Sequence, residues 1–223
     1  MDWTALSLSL QLGGLTMLVL LPAAVAMGRW LAVTRMRGRS VVEAALALPL
    51  VLPPTVIGFY LLTAFGQNAW LGKLWREIFG SPLVFTFEGL LIASVIVNIP
   101  FAVQPAQRAF EAIGPELREA AASCGIPFWR ALWRIELPLA WGGIVSGLIM
   151  TAAHTLGEFG VVLMVGGSIP GETRTIAISI YDKVQAFDMA AAGVMSAMLL
   201  GLSMLTLLAS SLLTRRRWTA QRR

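Results

Sequence analysis

Charge and reactive side chains are scarce in this chain of 223 residues. Only 13% of the residues are charged, against about 25% in a typical soluble domain. There is one cysteine, Cys124, and one histidine, His154. A lone cysteine excludes an internal disulfide. One histidine leaves no Cys/His metal cluster and no nucleophile–base triad. The segment 66–73, GQNAWLGK, has the outline of a phosphate loop. However, five residues rather than four separate its glycines, and Leu74 stands where magnesium needs Ser or Thr. The chain is therefore expected to hydrolyse no ATP, to hold no cofactor or metal and to be no enzyme.

Apolar residues are abundant, at 57% of the chain with a mean hydropathy of +0.75. Such a sequence needs lipid as solvent, so an all-α integral membrane protein forming one domain, 1–223, is expected. Four uncharged windows, 3–28, 44–72, 89–107 and 189–214, meet or approach the roughly 20 residues of a spanning helix. A fifth, 137–157, contains only His154 as a titratable group. The uncharged segment 159–171 is too short to span and either extends that window or dips back into the membrane. The result is five spans, near 5–28, 44–66, 87–107, 137–159 and 189–213, with a cytoplasmic loop at 108–136. The N-terminus lacks the basic region of a cleaved signal peptide, so the first window is expected to stay as a span.

The pI near 10.3 does not point to nucleic acid, because the basic residues cluster at the ends of apolar runs. With the N-terminus outside, the inner segments hold Arg29, Arg35, Arg37 and Arg39, then Arg108, Arg118, Arg130 and Arg134, then Arg215, Arg216, Arg217, Arg222 and Arg223. Only Lys73, Arg76, Arg174 and Lys183 of the 17 basic residues remain outside. Inner loops are enriched in Lys and Arg, which gives an N-out, C-in chain. Pro49, Pro53 and Pro54 predict a kink or break in the second span, since proline removes a helical hydrogen bond. Broken helices often line a path. The segment 66–86 reads as a short outer loop with interfacial Trp70 and Trp75. In the second outer loop, 168–188, residues 176–184 read as a short amphipathic helix.

The inner loop reads Glu119-Ala120-Ala121, three residues, Gly125, nine residues, Ile135, one residue, Leu137-Pro138. Two short helices, near 115–124 and 127–134, are expected to meet at Gly125, where glycine permits a left-handed corner. The small Ala120 and Ala121 would let a partner approach closely. Leu137-Pro138 would open the next span, proline being tolerated in a first helical turn.

This pattern resembles the EAA motif of ABC importer permeases. Residues 48–58, LPLVLPPTVIG, and the segments Leu156-Gly157-Glu158-Phe159-Gly160 and 169–176, IPGETRTI, resemble the corresponding stretches of molybdate permeases. Sulfate permeases share a similar LGEFG segment. The resemblance implies a type I ABC importer permease fold in a bacterial inner membrane. It implies a homodimer with two cytoplasmic ATP-binding subunits and a periplasmic or lipid-anchored oxyanion-binding protein. Glu119, Ala120, Ala121, Gly125, Ile135, Leu137 and Pro138 would couple to the ATPase, with Glu119 facing that subunit or capping a helix. Molybdate is the implied cargo, with tungstate, sulfate or another oxyanion as alternatives. A secondary transporter or membrane enzyme is a third reading, but neither inverted repeats nor a buried nucleophile with its base is evident.

Pro53, Pro54, Thr55, Glu158 and Phe159 are candidates for the path or gate. Glu158 is placed near the outer end of the fourth span. A carboxylate in lipid costs about 2.5–3.5 kcal/mol on insertion scales, so it should meet backbone N–H groups, a hydroxyl or interfacial water. His154, one turn earlier, can meet it as a packed polar residue. Arg174 and Lys183 would attract an entering oxyanion, meet an acidic docking surface or be solvated.

Overall fold

The computed structural model describes residues 1–220, with side chains through Leu208. The tail arginines Arg215, Arg216, Arg217, Arg222 and Arg223, counted above as inner charges, lie outside the described side chains. Among the described residues every regular element is helical.

Helix α1 (Trp3–Val33) opens at Asp2, whose carboxylate accepts from the Ala5 amide at 3.0 Å and from the Ser179 hydroxyl at 2.8 Å. Partial burial opposes ionisation of Asp2, but these two donors and the nearby Arg174 charge outweigh it and hold the carboxyl below its usual range. At 31 residues, α1 is about 46 Å long, more than the hydrocarbon thickness of about 30 Å. Pro22 sits inside it without ending it.

The second span is broken, as the prolines predict. Helices α2 (Arg39–Val51) and α3 (Pro54–Phe65) meet at 107°. Pro49 stays inside α2. The break falls at Leu52-Pro53, where both residues are extended (ψ 140° and 136°) because a residue before proline is pushed out of the helical region. Arg39, opening α2, pairs with Glu111 at the end of α5 (Phe87–Glu111). Phe65, closing α3, packs with Leu83 and Val84 just ahead of that same helix's start. The bent pair therefore runs the full length of α5 and counts as one broken crossing. Among the described residues Trp3–Val33, Phe87–Glu111, Phe128–Gly157 and Met189–Leu208 are long and apolar enough to cross a membrane, and the bent pair taken as one span makes five.

The segment 66–86 is not simply a loop. It contains α4 (Trp70–Phe79), in which Trp75 packs on Phe79 with ring centroids 4.1 Å apart. Its charges, Lys73, Arg76 and Glu77, occupy the outward turns of an amphipathic helix and made the segment look like a loop. The inner loop is also shorter than 108–136. Helix α5 continues to Glu111, followed by α6 (Pro115–Ser123). A second helix starts at Phe128, and it does not stop before Leu137-Pro138. Helix α7 (Phe128–Ala131), a π-helical turn (Leu132–Glu136) and α8 (Leu137–Gly157) are continuous. Pro138 cannot donate to the fourth carbonyl before it and would crowd that carbonyl. The wider turn just before it lets the helix pass through rather than begin there.

The outer side is finished by α9 (Gly160–Gly166) and α10 (Ile176–Gln185), and the chain ends in α11 (Met189–Ala220). Helix α10 falls where the amphipathic pattern places it, and it buries Ile176 and Ile178 completely. Helices α1, α5 and α8 form the central pack around Leu20, Ala24, Ala106, Phe110 and Ile144. Small residues let these backbones approach, as is usual in membranes. A β-carbon at Gly143 would lie 2.5 Å from that of Ala109. At Gly147 it would lie 3.0 Å from the carbonyls of Phe101 and Ala102.

Gly143→Val is expected to destabilise the chain by about 1–3 kcal/mol through overpacking. The check is the thermal midpoint of the detergent-solubilised protein. Gly142→Ala, where a β-carbon meets nothing within 4 Å, should leave it unchanged.

Candidate functional site: the inner corner and the broken-helix junction

The inner corner is built by α6 and α7. Proline opens α6 at its first position, and Gly125 follows its end with φ +70°. That left-handed conformation lets the Gly125 and Ile126 amides turn back to the Ala122 and Ala121 carbonyls at 2.9 and 3.0 Å, a typical helix-ending arrangement. Ala121 is buried against the protein, whereas Glu119, Ala120 and Gly125 face outward. Glu119 lies in the middle of α6, whose cap position is Gly114. It therefore does not cap that helix, and it lines a cavity together with Arg35, Arg39, Glu111 and Arg118. Ile135 and Leu137 are half-buried, and Pro138 is exposed.

One residue that the motif leaves undefined, Glu136, holds this corner to the bundle. It is 3% exposed. Arg29, near the end of α1, grips it with two hydrogen bonds of 2.8 and 2.9 Å. The Arg29 guanidinium also lies 4.6 Å over the Phe128 ring, a cation–π distance. From the other side, Arg118 of α6 places its Nε 3.4 Å from the same carboxylate and donates from Nη2 to the Phe110 carbonyl at 2.8 Å. Arg29 and Arg118 had been read only as topology charges. The available signal was a carboxylate one turn inside an otherwise apolar span.

The second site lies deeper. Helix α8 ends at Gly157, and Glu158-Phe159 separates it from α9. Glu158 does not lie within the candidate span Phe128–Gly157 but directly follows its last residue, at the end where it is expected. His154, one turn before it, faces Asn98 in the middle of α5, and α9 still leads from Glu158 toward the start of α5. Glu158 is not in interfacial water, being 6% exposed. Its carboxylate accepts from the Val161 amide at 3.1 Å and sits 3.6 Å from His154 Nε2. The carboxylate satisfies an amide donor freed by the break, which hydrocarbon could not.

The two breaks meet. A β-carbon on Gly160 would lie 2.8 Å from that of Pro54 and 3.5 Å from the Thr55 amide nitrogen. Gly160, next to Glu158-Phe159, thus lies against Pro54 and Thr55 at the break in the second span, while Phe159 itself packs on Tyr181 and toward Leu12 and Ile178. Pro53, Pro54 and Thr55 are exposed, and Phe159 is half-buried.

Behind the junction runs a buried polar chain that no sequence pattern announced. Thr16 donates to the Ser94 hydroxyl at 3.0 Å, and Asn98 Nδ2 donates to the Ser94 carbonyl at 2.8 Å. Asn98 Oδ1 lies 3.1 Å from His154 Nδ1. Because the amide nitrogen is committed as a donor, its oxygen accepts, and the proton sits on His154 Nδ1. The imidazole also stacks on Phe101 at 4.2 Å. His154 is thus the packed polar residue expected.

Arg174 is held by partners within the outer loop. It donates to the Ser168 hydroxyl at 3.0 Å and lies 3.4 Å from Asp182. Lys183 likewise pairs with Asp188 at 3.4 Å.

Residues 21–218 match the family described as binding-protein-dependent transport system inner membrane components. The chain is 46% identical over 191 residues to the molybdenum transport system permease protein ModB of Azotobacter vinelandii, covering 86% of this chain and 84% of that one. It is 34% identical over 184 residues to ModB of Escherichia coli K12, covering 82% and 80%. With the sulfate transport system permease protein CysW of Synechocystis it shares 32% over 179 residues, covering 80% and 64%. Among solved structures, a chain of a bacterial ABC transporter importing alginate superposes with a TM-score of 0.76 at 19% identity, covering 96% and 78%. A chain of an amino acid ABC transporter gives 0.62 at 18%, covering 96% and 93%. The fold is that of an ABC importer permease, and the chain belongs to the binding-protein-dependent transport system inner membrane components, as a transport subunit and not an enzyme.

Proposed function

We propose that this permease carries molybdate inward across the bacterial inner membrane, as a homodimer served by two ATP-binding subunits and a periplasmic or lipid-anchored binding protein. The observation that carries the substrate is the 46% identity along most of the chain to a molybdenum permease. The sulfate permease matches at 32% and is a longer protein. The IPGETRTI segment at 169–176 supports the same choice. Tungstate has the same chemistry and is not distinguished from molybdate.

The geometry supports a direct mechanism. ATP bound between the partner subunits would draw them together and displace the outward face of α6 at Glu119 and Ala120. The helix that leaves this corner is unbroken from Phe128 to Gly157, about 45 Å at 1.5 Å per residue. It ends at the junction of the two breaks. A push at the corner would therefore arrive at the turn Glu158-Phe159-Gly160, whose Gly160 lies against Pro54 and Thr55. Opening there would pass the anion between two copies of the chain. The path needs no tight anion site, because cargo must leave as readily as it enters. The orientation is N-out and C-in, from the distribution of basic residues.

The test is ATP hydrolysis by the reconstituted complex with its binding protein, with molybdate and sulfate supplied separately. Stimulation by molybdate alone is expected. Stimulation by sulfate alone would overturn the substrate, and an ATPase that never associates would overturn the coupling role of α6.

At the corner, Gly125→Val places a β-branched residue at φ +70°, a strain of about 1–3 kcal/mol. It is expected to abolish ATPase docking or stimulation while membrane insertion is retained. Gly125→Asn, which tolerates that conformation, should keep both.

A further inference from the structure

We infer that Glu136 is the positioning residue through which displacement of the coupling helix α6 reaches α1, and that Arg118 is the arm of this clamp that changes between states. The inference rests on the reading of α6 as the ATPase-docking element. It adds a route into α1 beside the direct route along α8.

A carboxylate 3% exposed needs paired charge and hydrogen bonds, and Glu136 has two guanidinium partners from two different elements. They are not equivalent. Arg29 meets it through two aligned bonds, the bidentate geometry that fixes orientation. Arg118 Nε stands at 3.4 Å without hydrogen-bond alignment, and this buried nitrogen has no hydrogen-bond partner. It is about 0.5 Å beyond the range of a charge-assisted bond. A buried donor left unpaired in this way marks a contact that another arrangement would complete.

Among the described residues, the hydrogen bonds and ion pairs that tie an α6 side chain to the membrane helices run through Arg118, to Glu136 and to the Phe110 carbonyl. Movement of α6 toward α8 would close the Nε bond. Movement away would leave Glu136 to Arg29 alone. Because Arg29 belongs to α1, which packs along both α5 and α8, the state of this contact is felt by the central pack. A contact with two discrete arrangements, biased from one side by docking, is the physical basis for transmitting a signal.

The experiment uses the whole complex in proteoliposomes and reads oxyanion taken up per ATP hydrolysed, for whichever oxyanion the unsubstituted complex transports. A wrong substrate assignment therefore does not affect it. This ratio is independent of how much protein folds. Arg118→Gln keeps the Arg29–Glu136 pair and is expected to retain the ATPase and basal hydrolysis. Uptake per ATP should fall about tenfold, the scale of one charge-assisted hydrogen bond. Arg118→Lys should recover part of the ratio. Combining Arg118→Gln with Glu136→Gln should lower it no further than Glu136→Gln alone, since Arg118 acts through Glu136. An unchanged ratio in Arg118→Gln would overturn the inference. So would additive losses in the double variant, or release of the ATPase by Arg118→Gln, which would make Arg118 a docking residue instead.

Discussion

A transmembrane helix can be interrupted inside the bilayer only where protein, not lipid, meets the freed backbone groups. This chain interrupts one candidate span at Leu52-Pro53, and that break packs against the turn at Glu158-Phe159 where another span ends. Gly160 has no side chain, so Pro54 can sit against it. Glu158 folds back onto the Val161 amide. Helix α9 is then held against α3 by Ile57, Val161 and Val165 in one apolar cluster. Without this mutual cover, neither seven residues of α9 nor twelve of α3 would be long enough to lie in hydrocarbon as an independent span.

Against that broken half stands an unbroken one. Helices α1, α5 and α8 are long, closely packed and pinned near mid-depth by the chain from Thr16 through Ser94 and Asn98 to His154. Such networks are stabilising only when fully satisfied, and here each hydroxyl and amide has a neighbour on another helix or turn. The molecule thus combines a stiff three-helix body with a softer interrupted span. The inner corner is attached to the stiff part.

Much of this was legible in the sequence because lipid imposes simple rules. Charge-free runs gave the spans, and Pro53-Pro54 gave the break. The spacing from Glu119 to Pro138 gave the corner and its glycine. What escaped has physical causes. Helix α4 carries Lys73, Arg76 and Glu77 on its wet face, and such density mimics a loop. Pro138 looked like the start of a helix because proline favours first turns. A π-helical turn, which has no sequence signature, let the helix run past it. Glu136, Arg29 and Arg118 were sorted by sign, and a charge count cannot reveal that three such groups share one buried contact.

The π-helical turn at Leu132–Glu136 also sets a phase. It accommodates one more residue per turn than an α-helix, equivalent to about 100° of rotation about the axis. Below it the helix presents Phe128 to the Arg29 guanidinium, and above it the same helix presents Gly143 and Gly147 to α5. The two faces are aligned only with that extra residue in place. The number of residues between Phe128 and the glycine row is therefore constrained. This short stretch tolerates exchange of side chains far better than any change in length.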